Sequence, residues 1–278
     1  MPVEASHTAE AAASHAAPHA EGAQEGPKEL SNFITVLSEK YHGTPWADFL
    51  HRWENVVFAW IIAFTLMAIA YFGTRNRKEI PGRFQNFLET VVEGLQKFVT
   101  DVLGDRGKKY VPFIGTLFLY ILCQNLFGLV PGMKSPTSSL NTTIALAVSV
   151  FFYVQFTGLR ENGLLGYVDP LMGSPRDVVG WIMVPLNLPL HILEEFIKPL
   201  SLSLRLFGNI LGEDSLIAAF VTLGITALAF FHIPVGMPLQ FPFLMLAVLT
   251  GTIQAVVFAL LSTIYISLML PHEEHAHH

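Results

Sequence analysis

Residues 178–231 read VVGWIMVPLNLPLHILEEFIKPLSLSLRLFGNILGEDSLIAAFVTLGITALAFF, a mostly apolar stretch interrupted by a few charges. As one continuous helix it would be about 80 Å long, whereas roughly 20 residues cross the roughly 30 Å of bilayer hydrocarbon upright. It is therefore either two spans folded at Lys198-Pro199, the only credible break, or one strongly inclined helix. Folded, it brings the chain to six spans; inclined, to five, with the C-terminus on the other side. The choice also fixes the meaning of Arg205. Near a turn it would snorkel to the surface; on an inclined helix it is held deep, where a charge costs about 2.5–3.5 kcal/mol on insertion scales.

The polar residues favour the inclined helix. At about 100° per residue, Glu194, Lys198, Arg205 and Asn209 fall in one narrow stripe, with His191 and Glu213 at its edges. Randomly water-facing residues would not stay in register across Pro199, so the stripe faces protein or water along a single helix. Glu194 and Lys198, four apart, can form an intrahelical pair. Arg205 has no acid within one turn on its own helix.

The rest of the chain supports a membrane setting. Of 278 residues, 52% are hydrophobic and 14% charged, against about 25% charged in soluble domains; this is an integral membrane protein. The net charge of −6 argues against a nucleic-acid partner. Cys123 is the sole cysteine, so no intrachain disulfide forms, and it reads as a small core residue. Residues 1–30 are rich in Ala, His and Glu, lack the basic start and apolar run of a signal peptide, and are expected to be a disordered tail. His7, His15 and His19, like His272, His275, His277 and His278 of the 272–278 tail, have no fixed ligand spacing; no metal or cofactor is expected.

Residues 31–271 are expected to form one membrane domain. Its spans are NVVFAWIIAFTLMAIAYFG (55–73), YVPFIGTLFLYILCQNLFGLVPG (110–132), LNTTIALAVSVFFYVQFTGL (140–159), the long segment 178–231, and 241–270. The last has 30 residues, again more than an upright span needs, which favours tilt in both members of a closing hairpin. Basic clusters in TRNRKEIPGR and GDRGKKY place the loop after the first span in the cytoplasm, the N-terminus outside and the C-terminus cytoplasmic. Between those clusters, residues 84–104 space Phe84, Phe87, Leu88, Val91, Leu95, Phe98 and Val102 helically, as an amphipathic interfacial helix does. Gln124 and Asn125 in the second span read as hydrogen-bonding groups between helices. The fold class is an all-α polytopic membrane protein of about five spans plus that amphipathic helix.

LSLSLRLFGNILGED (200–214), preceded by PLNLPLHILEEFIKP and followed by GTIQAVVFALLSTIYISL in the last helix, resembles subunit a of F-type rotary ATP synthases. With NLFGLVPG (125–132), the resemblance runs from the first span to residue 270. It implies an ion-conducting stator, with two half-channels carrying protons to and from the carboxylates of a rotating c-ring of small hairpin subunits. Peripheral-stalk b subunits, the soluble F1 head and membrane lipid would be the further partners, and a bacterial plasma (inner) membrane the location. Arg205 would be the essential stator charge. Its guanidinium does not release its proton, so it keeps the passing carboxylate ionised and blocks leakage between the half-channels. At about 2.3 kcal/mol per charge per 100 mV, several crossings are needed for each ATP.

The resemblance also implies roles for Asn209 and Gln254, which would hydrogen-bond water or position helices near the arginine. His191, Glu194 and Glu195 would line the inner half-channel. Asp214 stands where the family has an outer relay glutamate, but Glu213 beside it is also acidic and lies nearer the Arg205 face, so the relay falls to one of the two. Ala247 stands where some relatives carry a histidine or an acid that partners the relay. No phosphate loop is present, so ATP chemistry belongs to partner subunits. HILEE lacks the second histidine of a zinc helix motif. A secondary ion or solute transporter with a buried arginine is the alternative class; it would show repeated halves with helices broken at matching positions, and none is found. An intramembrane hydrolase would need converging groups, whereas Glu213 and Asp214 point about 100° apart.

Overall fold

A computed structural model describes residues 32–41, 44–75, 82–173, 178–229 and 238–270. In chain order these form α1 (Phe33–Lys40), α2 (Pro45–Arg52), α3 (Glu54–Arg75), α4 (Arg83–Leu103), a 3-10 turn (Gly104–Lys109), α5 (Val111–Phe127), a second 3-10 turn (Pro136–Ser138), α6 (Leu140–Leu171), α7 (Val178–Ala229) and α8 (Phe241–Met269). No strand occurs among the described residues. Helices α3, α6, α7 and α8 are long and apolar enough to cross a bilayer, and α5 is a shorter apolar helix of 17 residues, making this an all-α polytopic membrane protein. The two His-bearing tails lie outside the described residues, as does most of the basic loop after α3.

Helix α7 runs unbroken for 52 residues, about 78 Å. Pro185, Pro189 and Pro199 all lie inside it, each removing one backbone hydrogen bond without ending it. There is no turn at Lys198-Pro199, so the polar stripe belongs to one helix. Helix α8 returns antiparallel in a fixed register. Near one end the rings of Phe220 and Phe243 stack 3.9 Å apart; near the other, the Lys198 ammonium lies 5.9 Å from the centre of the Tyr265 ring. Both pairs are 22 residues apart on their own helices (220 − 198 and 265 − 243), so pairing proceeds without a slip. At this register Asn209 is level with Gln254, and Glu213 with Thr250.

One core joins α4 to α8. Leu202, Leu206 and Ile210 on α7 repeat every four residues and share one buried cluster with Val150 and Val154 of α6, Ile114 and Ile121 of α5, and Phe258 and Ile266 of α8. Helix α8 turns a row of small residues, Gly251, Ala255, Ala259 and Ser262, into the bundle, which lets backbones approach closely where lipid supplies no hydrophobic drive. At Gly251 an added methyl would meet Asn125 Cβ at 3.3 Å. Helix α6 breaks at Gly163, whose φ of 68° suits a residue without a side chain. Just before the break, Asn162 Nδ2 donates to the Met269 carbonyl at 2.6 Å and so caps the end of α8.

Helices α1 and α2 are not foreseen in the sequence reading. Each has eight residues, too few for a periodic signal. Helix α1 is set by reciprocal capping: Thr35 N–H donates to Asn32 Oδ1 at 2.9 Å and Asn32 N–H to Thr35 Oγ1 at 2.7 Å. Phe33 N–H then donates to the Gly132 carbonyl at 2.8 Å, laying this segment over the loop between α5 and α6.

Candidate functional site

Arg205 is exposed, on the side of α7 away from Leu202, Leu206 and Ile210. Leu204 beside it is 48% exposed. At Gly208 and Gly212, one and two turns further on, nothing lies within 4 Å of where a side chain would begin. Among the described residues no side chain forms an ion pair or hydrogen bond with Arg205. An unpaired guanidinium against hydrocarbon is costly, so this open face is built for an acidic or aqueous neighbour rather than for lipid.

From Arg205 the stripe continues in one direction to Asn209 and Glu213. Asn209 Nδ2 donates to Glu213 Oε1 at 3.0 Å, which occupies Glu213 locally. Level with Asn209, Gln254 is 7% exposed and its buried Nε2 has no partner, so this junction of α7 and α8 holds spare hydrogen-bonding capacity. Asp214, about 14 Å along the helix from Arg205, points elsewhere. It lines an open cleft of about 260 Å³ walled by Gly128–Ser135 of the α5–α6 loop, Ile217 and Val221 of α7, and Gln240 and Leu244 at the start of α8. The structure thus separates two acids that are adjacent in sequence: Glu213 faces the hairpin seam, Asp214 the cleft.

In the other direction, about 10 Å from Arg205, lies a closed polar cluster. Lys198 Nζ is 2.5 Å from Glu195 Oε1 and 3.5 Å from Glu194 Oε1. Glu195 Oε2 accepts from Gln155 Nε2 at 2.8 Å, and Tyr167 O–H donates to Gln155 Oε1. Glu195 is only 13% exposed, and the pocket it shares with Lys198, Pro199, Tyr265 and Met269 measures about 10 Å³, room for one water at most. Glu194, 59% exposed, and His191, 43% exposed, 3.7 Å apart, stand outside this closed cluster.

Sequence reading missed several of these partners. Gln155 and Tyr167 come from α6, and only the fold brings them to Glu195. Another such set closes the end of α5. Asn125 Nδ2 donates to the Gly251 carbonyl at 3.0 Å, and its Oδ1 accepts from Thr137 Oγ1 at 2.8 Å. Ser135 Oγ donates to the Gln124 carbonyl at 2.9 Å and contacts Thr137 Oγ1 at 2.7 Å. These bonds fix the wall of the Asp214 cleft from inside; the serines and threonines gave no periodic signal.

The chain that sets a cation without a partner among the described residues midway along one unbroken helix, between an open cleft lined by Asp214 and a closed ion pair, matches a known family in sequence. The sequence profile of ATP synthase A chain covers residues 56–267. The chain belongs to this family. It is 49% identical over 246 residues to ATP synthase subunit a of Protochlamydia amoebophila, covering 88% of this chain and 90% of that protein. The protein of the same description from Solidesulfovibrio magneticus is 41% identical over 219 residues, 79% of this chain and 85% of that one. That of Moorella thermoacetica is 39% identical over 215 residues, 77% and 89%. Membership in ATP synthase A chain carries the stator role in the membrane (Fo) sector, a multi-pass membrane location, and association with a c-ring and other ATP synthase subunits. ATP synthesis and proton transport are the work of that family.

Proposed function

We propose that this subunit conducts protons through two offset half-channels separated by Arg205. The observation that carries the reading is the isolation of Arg205: exposed, without a side-chain partner among the described residues, and on a face where Gly208 and Gly212 leave room for another helix. A carboxylate of a passing c-ring subunit is the neighbour that would complete it. A guanidinium holds that carboxylate ionised until it has passed, and because it stays charged at accessible pH it relays no proton itself.

Asp214 is the outer relay in this reading, since it lines the open cleft while Glu213 faces the hairpin seam. Asn209 and Gln254 hold water or position the helices between relay and arginine. On the inner side His191, partly exposed, and Glu194, exposed, carry protons away along the surface shared with the ring, and Glu195 anchors Lys198. The N-terminus lies outside and the C-terminus in the cytoplasm of a bacterial inner membrane, with b subunits and the F1 head completing the machine.

The test is ATP-driven acidification of inverted vesicles carrying wild-type or Arg205→Ala chains, with assembly of the complex quantified in both. Pumping by wild type and none by the assembled variant is expected. Equal pumping would make Arg205 structural and end this reading.

A further inference from the structure

Trp53 is the joint between α2 and α3. Its N–H donates to the Phe49 carbonyl at 3.1 Å, and its own carbonyl accepts from Val57 N–H at 2.9 Å. From this joint a connected patch of exposed rings runs back over α2. The Phe49 ring is centred 6.2 Å from that of Trp53, and Tyr41, at the end of α1, is centred 5.5 Å from Trp46. Trp46, Phe49 and Trp53 are spaced by three and then four residues, which puts them on one face, and all four rings are exposed. The opposite side of α2 is closed, with Ala47 buried. Trp60, also exposed, lies two turns beyond Trp53, so the patch runs on into the exposed side of a membrane span.

We propose that α1 and α2 form a lipid anchor, the face bearing Tyr41, Trp46, Phe49 and Trp53 seating in the boundary between headgroups and acyl chains where α3 begins. The length of α3 supports this depth. Trp53 and the exposed Tyr71 are 18 residues apart (71 − 53), about 27 Å along a helix, close to the roughly 30 Å of bilayer hydrocarbon. Trp and Tyr collect at its two edges, so α2, which ends on Trp53, lies in one of them. An exposed apolar patch of this kind marks contact with a membrane or with another protein, and the size of its residues favours the membrane. A second transmembrane helix packs closely where small residues let backbones approach. This face instead presents four bulky rings, three of them with a polar N–H or O–H that suits a surface wet on one side. Short amphipathic segments of this type lie in the interface plane. The anchor is tied to the bundle by the Phe33 N–H bond to the Gly132 carbonyl, 2.8 Å, and the Asn32 Nδ2 bond to Glu54 Oε1, 3.2 Å. It thereby holds the α5–α6 loop, one wall of the Asp214 cleft, level with the membrane surface. This placement is independent of any part that the cleft plays in proton entry.

The experiment puts a nitroxide at Phe49→Cys, in a chain carrying Cys123→Ser and an assembled complex otherwise free of reactive thiols, reconstituted in proteoliposomes. Its collision rates with oxygen, which concentrates in hydrocarbon, and with a neutral nickel chelate, which concentrates in water, are compared with those of two references. One is a free nitroxide in buffer, the other a headgroup-labelled lipid in the same vesicles. The oxygen-to-nickel ratio at Phe49 is expected to equal or exceed that of the labelled lipid. Trp46→Ser combined with Trp53→Ser should shift it toward the buffer value, and Trp46→Phe combined with Trp53→Phe should leave it in place. A ratio equal to that in buffer would overturn the proposal by placing this face in water. An immobilised label that neither reagent reaches would overturn it too, by showing that protein, from this chain or another subunit, covers the face. A ratio unmoved in the assembled serine pair would show that the rings do not anchor the segment. The single label tests the seat whether or not the serine pair assembles.

Discussion

Arg205 and Lys198 stand seven residues apart on one helix and one stripe, yet they have opposite surroundings. Lys198 is 18% exposed and held by Glu195 and Glu194, with the Tyr265 ring nearby. Arg205 is exposed and has no side-chain partner among the described residues. A cation whose neighbours already neutralise it is part of the architecture. One that the chain leaves unneutralised at mid-helix has its partner elsewhere, and this distinction makes the two positions respond differently to the same kind of change.

The largest expected effect is at Arg205. Arg205→Lys keeps the charge but loses the planar fork and the fixed protonation, so ATP-driven acidification in assembled complexes should fall nearly as far as in Arg205→Ala. Full coupled pumping by the lysine variant would mean that any cation serves, and the contrast with Lys198 would then be one of position alone. Next comes the separation of the adjacent acids. Asp214→Asn should slow gradient-driven ATP synthesis strongly, and Glu213→Gln less, because only Asp214 lines the cleft. The reverse order would move the relay to the hairpin seam.

At Lys198 the effect should fall on stability. Lys198→Met leaves Glu195, 13% exposed, without its nearest cation, a loss of about 1–3 kcal/mol for a largely buried polar group deprived of its partner. Glu195→Gln with Lys198→Met should recover most of it, since removing both charges removes the desolvation penalty. Thermal unfolding of the detergent-solubilised complex measures this, while pumping by assembled Lys198→Met should persist. Pumping abolished without loss of assembly would place Lys198 in the ion path and erase the distinction.

The sequence already held the elements that depend on composition and period: the long apolar helices and the unbroken α7. Those signals lie within one helix, and a helix displays its own periodicity. What it could not display is contact between helices. Gln155 and Tyr167 reach Glu195 only because α6 packs on α7, and Lys134 reaches Glu54 across three helices and their connections. Glu194 is the helix-spaced partner that i, i+4 reasoning selects, yet Glu195 at i−3 lies closer to Lys198, because the rotamers follow packing rather than spacing alone. Glu213 and Asp214 were inseparable until the cleft gave one of them an aqueous face.

A third cation, Lys109, completes the series at its weak end. Its ammonium lies 2.6 Å from Glu161 Oε1 and 4.9 Å from the centre of the Tyr110 ring, with the lysine 47% exposed and the glutamate 30%. The Glu161 hydrogen bond is the largest influence on this lysine and raises its pKa above the ordinary 10.5. A raised folded-state value means the pair's stabilisation is complete below the unfolded pKa and is lost only as pH rises through the folded one. It should therefore contribute no pH dependence between pH 5 and about 9, lysine being fully charged there. Being exposed and screened, the pair is worth about 0–1 kcal/mol. Lys109→Met should accordingly shift thermal stability slightly, equally at pH 6 and pH 8, and leave pumping intact. A loss of pumping comparable to that of Arg205→Ala would show that a local acidic partner does not mark a cation as architectural, and the contrast between Arg205 and Lys198 would lose its physical basis.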